Sequence, residues 1–152
     1  MMRFINRGIQ YVILLSVILC VSCTRNNGDI GEYFGTWKLE SMTVNGEIDA
    51  EYEGNIFWKF QASVFCMVKV WEHHDYESSW GTWKELDGKL VIDYRNYDDN
   101  HEAGSDIYAP NIETHLVADI NELTIISMSG SKMNLSYVDE NGDTIIYKLK
   151  KW

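Results

Sequence analysis

The first residues whose types suggest chemistry are His73-His74-Asp75, with Glu72 and Glu77 close by. Imidazole and carboxylate side chains together are what a metal site needs. On an extended chain, however, His73 and His74 point to opposite faces, so one ion rarely takes both without a turn. They are expected to be solvated turn residues, and His101 and His115 add no ligand spacing. The acidic run Asp98-Asp99-Asn100-His101-Glu102, with Asp106, offers oxygens of the kind calcium takes. It lacks the glycine at the sixth loop position and the glutamate at the twelfth that an EF-hand uses, so a solvated acidic loop is the expectation. No metal and no cofactor are expected.

Nucleophilic chemistry has little to start from. Cys66 lies inside the apolar run Val64-Phe65-Cys66-Met67-Val68 and reads as a small buried hydrophobe rather than a nucleophile. The chain has no nucleophile elbow, no phosphate-cradling glycine loop and no zinc-ligand spacing. Carboxylates are plentiful, but spacing alone does not select a catalytic pair. The chain therefore reads as a protein that is not an enzyme.

The aromatic residues carry more. Six tryptophans, Trp37, Trp58, Trp71, Trp80, Trp83 and Trp152, all lie beyond the N-terminal apolar segment. Alternation puts Trp58 with Phe60 on one strand face, Tyr137 with Met133 and Leu135 on another, and Tyr147 with Ile145 and Leu149 on a third. Trp58, Phe60, Trp83, Tyr94, Tyr137 and Tyr147 are core residues in the first instance and candidate cavity lining in the second. Trp80 and Trp83 fall on opposite faces of a regular strand, so one of them is expected to be exposed.

The elements that position these side chains are strands. From Gly35 onward β-branched and aromatic residues are frequent, helical periodicity is scarce, and Pro110 is the one proline. Strands are predicted over Thr36–Val44, Ile56–Phe60, Val64–Trp71, Trp80–Leu86, Lys89–Tyr94, Met133–Tyr137 and Thr144–Leu149. Residues 112–118 and 123–128 form either two strands or one bulged strand. Glu47–Gly54 reads as a helical turn or loop, and Arg95–Asn111 as a long acidic loop. Asn45-Gly46, Asp87-Gly88 and Asp139-Glu140-Asn141-Gly142 supply tight turns. The fold class is all-β: an antiparallel up-and-down meander of eight or nine strands, closing into a barrel.

Ahead of the strands, Met1–Gly8 carries Arg3 and Arg7 without an acid, and Ile9–Val21 is apolar except for Gln10 and Ser16. That run is short for a bilayer span and fits a secretory signal. It ends in Cys20-Val21-Ser22-Cys23, which resembles the lipobox of bacterial lipoproteins, although Cys20 stands where leucine is usual. The resemblance implies a signal peptide over residues 1–22, lipidation at Cys23, and a polar tether over residues 23–31 before a domain at residues 32–152. Thr24, rather than aspartate, follows Cys23 and no acidic run comes directly after it. The implied location is the outer membrane, lipid-anchored and facing the periplasm.

Several segments together resemble the lipocalin-like domains of bacterial lipoproteins. They are Gly35-Thr36-Trp37-Lys38-Leu39, Asn45-Gly46-Glu47, Trp58-Lys59-Phe60, Trp83 with Asp87-Gly88-Lys89-Leu90, and Met133–Tyr137 before Tyr147-Lys148-Leu149. The resemblance places Gly35 and Trp37 at the closed end of the barrel as a structural signature. In lipocalins an arginine from the final strand packs over that tryptophan. Here the final strand offers Lys148, Lys150 and Lys151, and the Thr-Asp-Tyr motif of the second lipocalin signature is absent. Gly81-Thr82-Trp83-Lys84 repeats the opening tetrapeptide, but its flanks differ, so two strands share a local solution: glycine allows close approach and tryptophan fills the space beside it.

Charge narrows the partners. The full chain has 13 basic and 23 acidic side chains, and removing Arg3 and Arg7 with the signal leaves 11 basic and a formal charge of −12. That argues against nucleic acid and against electrostatic docking on anionic lipid, leaving the acyl chains to hold the membrane. The expected ligand is a small apolar or amphipathic molecule between the strands. The alternative is a protein-interaction module, an inhibitor or accessory factor, whose acidic face recognises a basic protein.

Overall fold

The computed structural model describes residues 31–95 and 108–152. The signal-like segment, Cys23, the tether up to residue 30 and the acidic run Asp98–Asp106 lie outside the described residues. Among the described residues nine strands form one antiparallel sheet: β1 (Gly35–Val44), β2 (Glu47–Ile48), β3 (Ile56–Gln61), β4 (Val64–Val70), β5 (Tyr76–Leu86), β6 (Lys89–Asp93), β7 (Ile120–Met128), β8 (Lys132–Val138) and β9 (Thr144–Lys151). Neighbours in sequence pair from β3 to β9, and β1 pairs with both β3 and β9. Eight strands therefore close into a barrel, and β2 is a two-residue ribbon at the end of β1.

The turn dipeptides behave as their chemistry dictates. Asn45 and Gly46 take φ of 52° and 87°, and Asp87 and Gly88 take 52° and 75°. Paired positive φ is what a two-residue hairpin turn needs to match the right-handed twist of its strands. Two bulges adjust the barrel wall, one in β1 between Leu39 and Ser41 and one in β7 between Ile125 and Ser127. Each inserts an extra residue and shifts the alternation. That is why Trp37, Leu39 and Met42, which do not share one period-two series, are all fully buried.

Two local expectations are corrected. Residues 112–118 are not a strand: Ile112–Thr114 is a 3₁₀ turn, and β7 alone carries the bulge. Asn111 explains the change, since its side chain accepts the Glu113 N–H (3.0 Å) while its carbonyl accepts from the Thr114 N–H (3.0 Å) and hydroxyl (2.6 Å). Local side-chain bonds of this kind outcompete strand pairing. The fifth strand begins at Tyr76, four residues before the expected Trp80, because Tyr76–Ser79 continue in register with Met67–Val70 despite their polarity. Glu72–His74 is, as expected, an exposed turn: it is a 3₁₀ turn in which His73 and His74 both have positive φ.

The two Gly-Thr-Trp-Lys glycines meet different demands. Gly35 sits at φ +116°, where a Cβ would be strained and would meet Lys151 Cε at 3.3 Å. At Gly81 the issue is close approach, because a Cβ would stand 2.7 Å from the Asp93 carbonyl oxygen on β6. Gly81→Ala is expected to cost about 1–3 kcal/mol through the shift it forces on β6. Gly130→Ala, where an added Cβ meets nothing within 4 Å, should stay within about 0.5 kcal/mol. Urea melts of the pair check this: the Gly81 midpoint should fall at unchanged slope, while the Gly130 midpoint holds.

Candidate functional site

The closed end of the barrel is built around Trp37. Its ring is fully buried, and its Nε1–H donates to the Tyr33 carbonyl at 2.7 Å. Lys151 Nζ stands 4.3 Å from the Trp37 ring centroid, within cation–π range. The same ammonium donates to the carbonyls of Glu32 (3.1 Å) and Phe34. Lysine therefore takes the position over the tryptophan that an arginine takes in lipocalins, and it also ties down the chain entering β1. Tyr33 covers this end from below, its ring 5.7 Å from Phe60 and 4.9 Å from Trp83.

Above that base, the six residues nominated from sequence come together. Trp58, Phe60, Tyr94, Tyr137 and Tyr147 belong to one buried cluster, and Trp83 packs half-buried against it. Trp58 meets Phe65 edge-on at 5.6 Å and Tyr147 at 5.3 Å, and Phe65 in turn meets Phe60 and Tyr94. Dense aromatic packing of this sort is a core, yet it carries polar atoms that a core ordinarily pairs. The Trp58 indole N–H is buried with no hydrogen-bond partner among the described residues. The Trp83 N–H and the Tyr33 and Tyr94 hydroxyls lack well-formed bonds too, although Tyr33 lies near Glu85 and Tyr94 near Ser79. Trp58 is the plainest case, a strong donor in an apolar interior.

The opposite end is covered by the described part of the long connection between β6 and β7. The Tyr147 hydroxyl donates to the Thr114 carbonyl at 2.5 Å, and Leu116 enters the core cluster. Lys69 faces inward from an otherwise apolar strand and pairs with Glu113. Asn111 Nδ2 reaches Glu77 Oε1 on β5 at 3.2 Å, and Asn121 holds the Val117 N–H (2.8 Å) and carbonyl (2.9 Å). Where β1 and β3 diverge, the Tyr52 hydroxyl fills the gap: it donates to the Leu39 carbonyl (2.6 Å) and accepts from the Ile56 N–H (3.3 Å). Burial, together with the nearby Glu113 charge, pushes Tyr52 up to about 12, against the Ile56 bond that lowers it. Burial likewise holds Tyr94 and Tyr147 well above the usual phenol range.

These phenols fix the alkaline limit of the fold. A phenol ionises near 10 in the unfolded chain and higher in the folded one, so above pH 10 the folded state retains protons that the unfolded state has lost. Stability is therefore intact below about pH 10 and falls as pH rises through 10–12. Absorbance at 295 nm should show the buried tyrosines ionising together with loss of near-UV circular dichroism rather than one by one ahead of it.

The remaining candidates fall outside this site. Cys66 is buried, and burial pushes its thiol up to about 11, which suits a packing role. His115 Nδ1 is 4.0 Å from Asp139 Oδ2, and no group of three or more potential metal ligands occurs among the described residues. Trp80 is exposed, with its Nε1–H on Ser78 Oγ (3.2 Å), and Trp83 turns inward, so the two fall on opposite faces as their spacing requires. Outside the barrel, Cys66 and Val68 line a groove of about 440 Å³ walled by Lys59, His74, Tyr76 and Trp80. Sequence reasoning missed Tyr33, Phe65, Lys69 with Glu113, and the place of Lys151. Phe65, Met67 and Lys69 at period two marked an inward lysine, the one signal that was there to read.

A family model described as a lipocalin-like domain matches residues 17–151. A solved structure of a lipocalin-like protein from Bacteroides uniformis aligns with a TM-score of 0.60 at 15% identity, covering 80% of this chain and 100% of that one. That of an uncharacterized protein from Bacteroides eggerthii aligns with a TM-score of 0.56 at 18% identity, covering 79% and 99%. At these identities the likeness is one of fold. No curated protein sequence matches the chain.

Proposed function

The chain belongs to the family of lipocalin-like domains, and from that premise we propose that it binds a small apolar or amphipathic molecule inside its barrel. A lipocalin-like barrel is typically a binding protein rather than an enzyme, and eight strands leave an interior able to hold one small ligand. The observation that carries the reading is the unpartnered Trp58 N–H within an aromatic interior. A buried donor without an acceptor is costly, and a ligand oxygen would relieve that cost while its hydrocarbon part meets Phe60, Phe65 and Tyr147. Native mass spectrometry of the full chain tests this: a non-covalent adduct of a few hundred daltons should accompany the protein and leave on gentle activation. A spectrum that stays bare after incubation with a bacterial lipid extract would sink it.

The proposal extends to the N-terminus. Residues 1–22 act as the signal, Cys23 takes the acyl chains, residues 23–31 form the tether to the domain at 32–152, and the protein sits on the outer membrane facing the periplasm. Metabolic labelling with a fatty-acid analogue should mark the wild type and not Cys23→Ser. A second reading, recognition of a basic protein, is favoured by the loop end of the barrel, where Asp49, Glu51, Glu53, Glu72, Asp75 and Glu140 gather on the connections. Capture of basic proteins that disappears at high salt would support it.

A further inference from the structure

The geometry points to a second surface: the outer face of β8, β9, β1 and β3 near the closed end docks on an anionic lipid headgroup layer. Register makes the case. Lys132 on β8 stands opposite Lys150 on β9, which stands opposite Lys38 on β1. All three alternate with buried neighbours, Met133, Leu149 and Trp37, so they point outward as one row across three strands. Like charges directly opposite each other repel. The nearby acid is Glu40, 3.9 Å from Lys150 Nζ, and Lys132 and Lys38 have no ion pair among the described residues. A row of this kind is complementary to a layer of negative charge.

The row continues into aromatic surface. Lys38 pairs with Phe57 on β3, whose ring meets Trp152 edge-on at 5.3 Å, and Lys38 Nζ lies 5.6 Å from the Trp152 ring centroid. Trp152 remains 76% exposed. Lysine beside exposed tryptophan is the composition that settles at a headgroup boundary, the ammonium among phosphates and the indole just below. The net negative charge works against docking by the surface as a whole, and the row is a local basic exception to it. Asp49, Glu51, Glu53, Glu72, Asp75 and Glu140 lie on connections at the other end of the barrel, while Glu32 and Asp87 lie at this end but outside the row. The same closed end receives the chain at Glu32 and Phe34, where Lys151 grips it. For this orientation the inference rests on the tethered reading; the lysine row itself does not.

The test uses the full chain reconstituted with vesicles whose acyl chains are brominated, so that tryptophans at the bilayer surface are quenched. Membrane retention reports the anchor, and it should be lost in Cys23→Ser whatever the docked face does. Quenching reports the face. On vesicles with about one-third phosphatidylglycerol, quenching should exceed that on pure phosphatidylcholine at least twofold and shrink at about 0.5 M salt. Trp152→Phe should remove most of the difference. Lys38, Lys132 and Lys150 changed together to Glu should abolish it, and the same three changed to Arg should keep it. Equal quenching on the two lipids, an undiminished signal in the Glu variant, or salt-sensitive binding of soluble polyglutamate in place of lipid would overturn the inference.

Discussion

Trp58→Ala is expected to lower the unfolding free energy by about 3–5 kcal/mol, among the largest effects a single substitution here can have. The indole is fully buried, and it contacts Phe65 from β4 and Tyr147 from β9 across the interior. Its removal leaves a void that rings held by opposite walls cannot collapse to fill. Trp58→Phe separates packing from chemistry. It keeps a ring in place and deletes the unpartnered N–H, so it should cost only about 1–2 kcal/mol, because the lost volume is partly offset by relief of the unsatisfied donor. The same variant should bind the barrel ligand roughly tenfold more weakly, since one hydrogen bond of about 1.4 kcal/mol is lost. Urea melts and ligand titrations of the two variants check both halves. Equal affinity in Trp58→Phe and wild type would remove the N–H from the account of binding.

Lys151→Ala should destabilise by about 2 kcal/mol, a large value for a residue that is only half-buried. Its ammonium serves the Trp37 ring and two carbonyls of the entering chain together. The loss should be local in its consequences: amides of β1 near Trp37 and of residues 31–34 should exchange with solvent faster, while those of β4 and β5 hold. Lys151→Arg should stay within about 1 kcal/mol of wild type, because a guanidinium can lie over the ring and still reach a carbonyl. If alanine and arginine behave alike, the ammonium has no part in closing that end.

Much of this architecture was legible in the chain because local chemistry and the global fold agree. The Asn45-Gly46 and Asp87-Gly88 dipeptides specify turns that leave little alternative, and the alternation at Met133–Tyr137 and Thr144–Leu149 puts the right faces inward. Reading failed where tertiary context outweighed local pattern. Tyr76–Ser79 looks too polar for a strand and is one because β4 supplies its partner. Residues 112–118 look like a strand and are not one, because Asn111 offers the backbone nearer bonds. The nominated aromatics were found together because rings at strand spacing converge in any barrel of this size. Their unpartnered N–H was not legible, since pairing depends on what lies across the interior. The place of Lys151 over Trp37 was hidden for the same reason: it follows from the β1–β9 closure.

Displacement titration decides whether a small amphipathic molecule binds inside the barrel. The full chain is titrated with a fluorescent apolar probe, and unlabelled fatty acids of graded length then compete for the site. One saturable site per chain is expected, weakened about tenfold by Trp58→Phe and unchanged by Trp80→Ala on the outer groove. Absence of saturable binding would contradict it. So would binding that Trp80→Ala abolishes and Trp58→Phe leaves intact, which would put the ligand on the outside of the sheet.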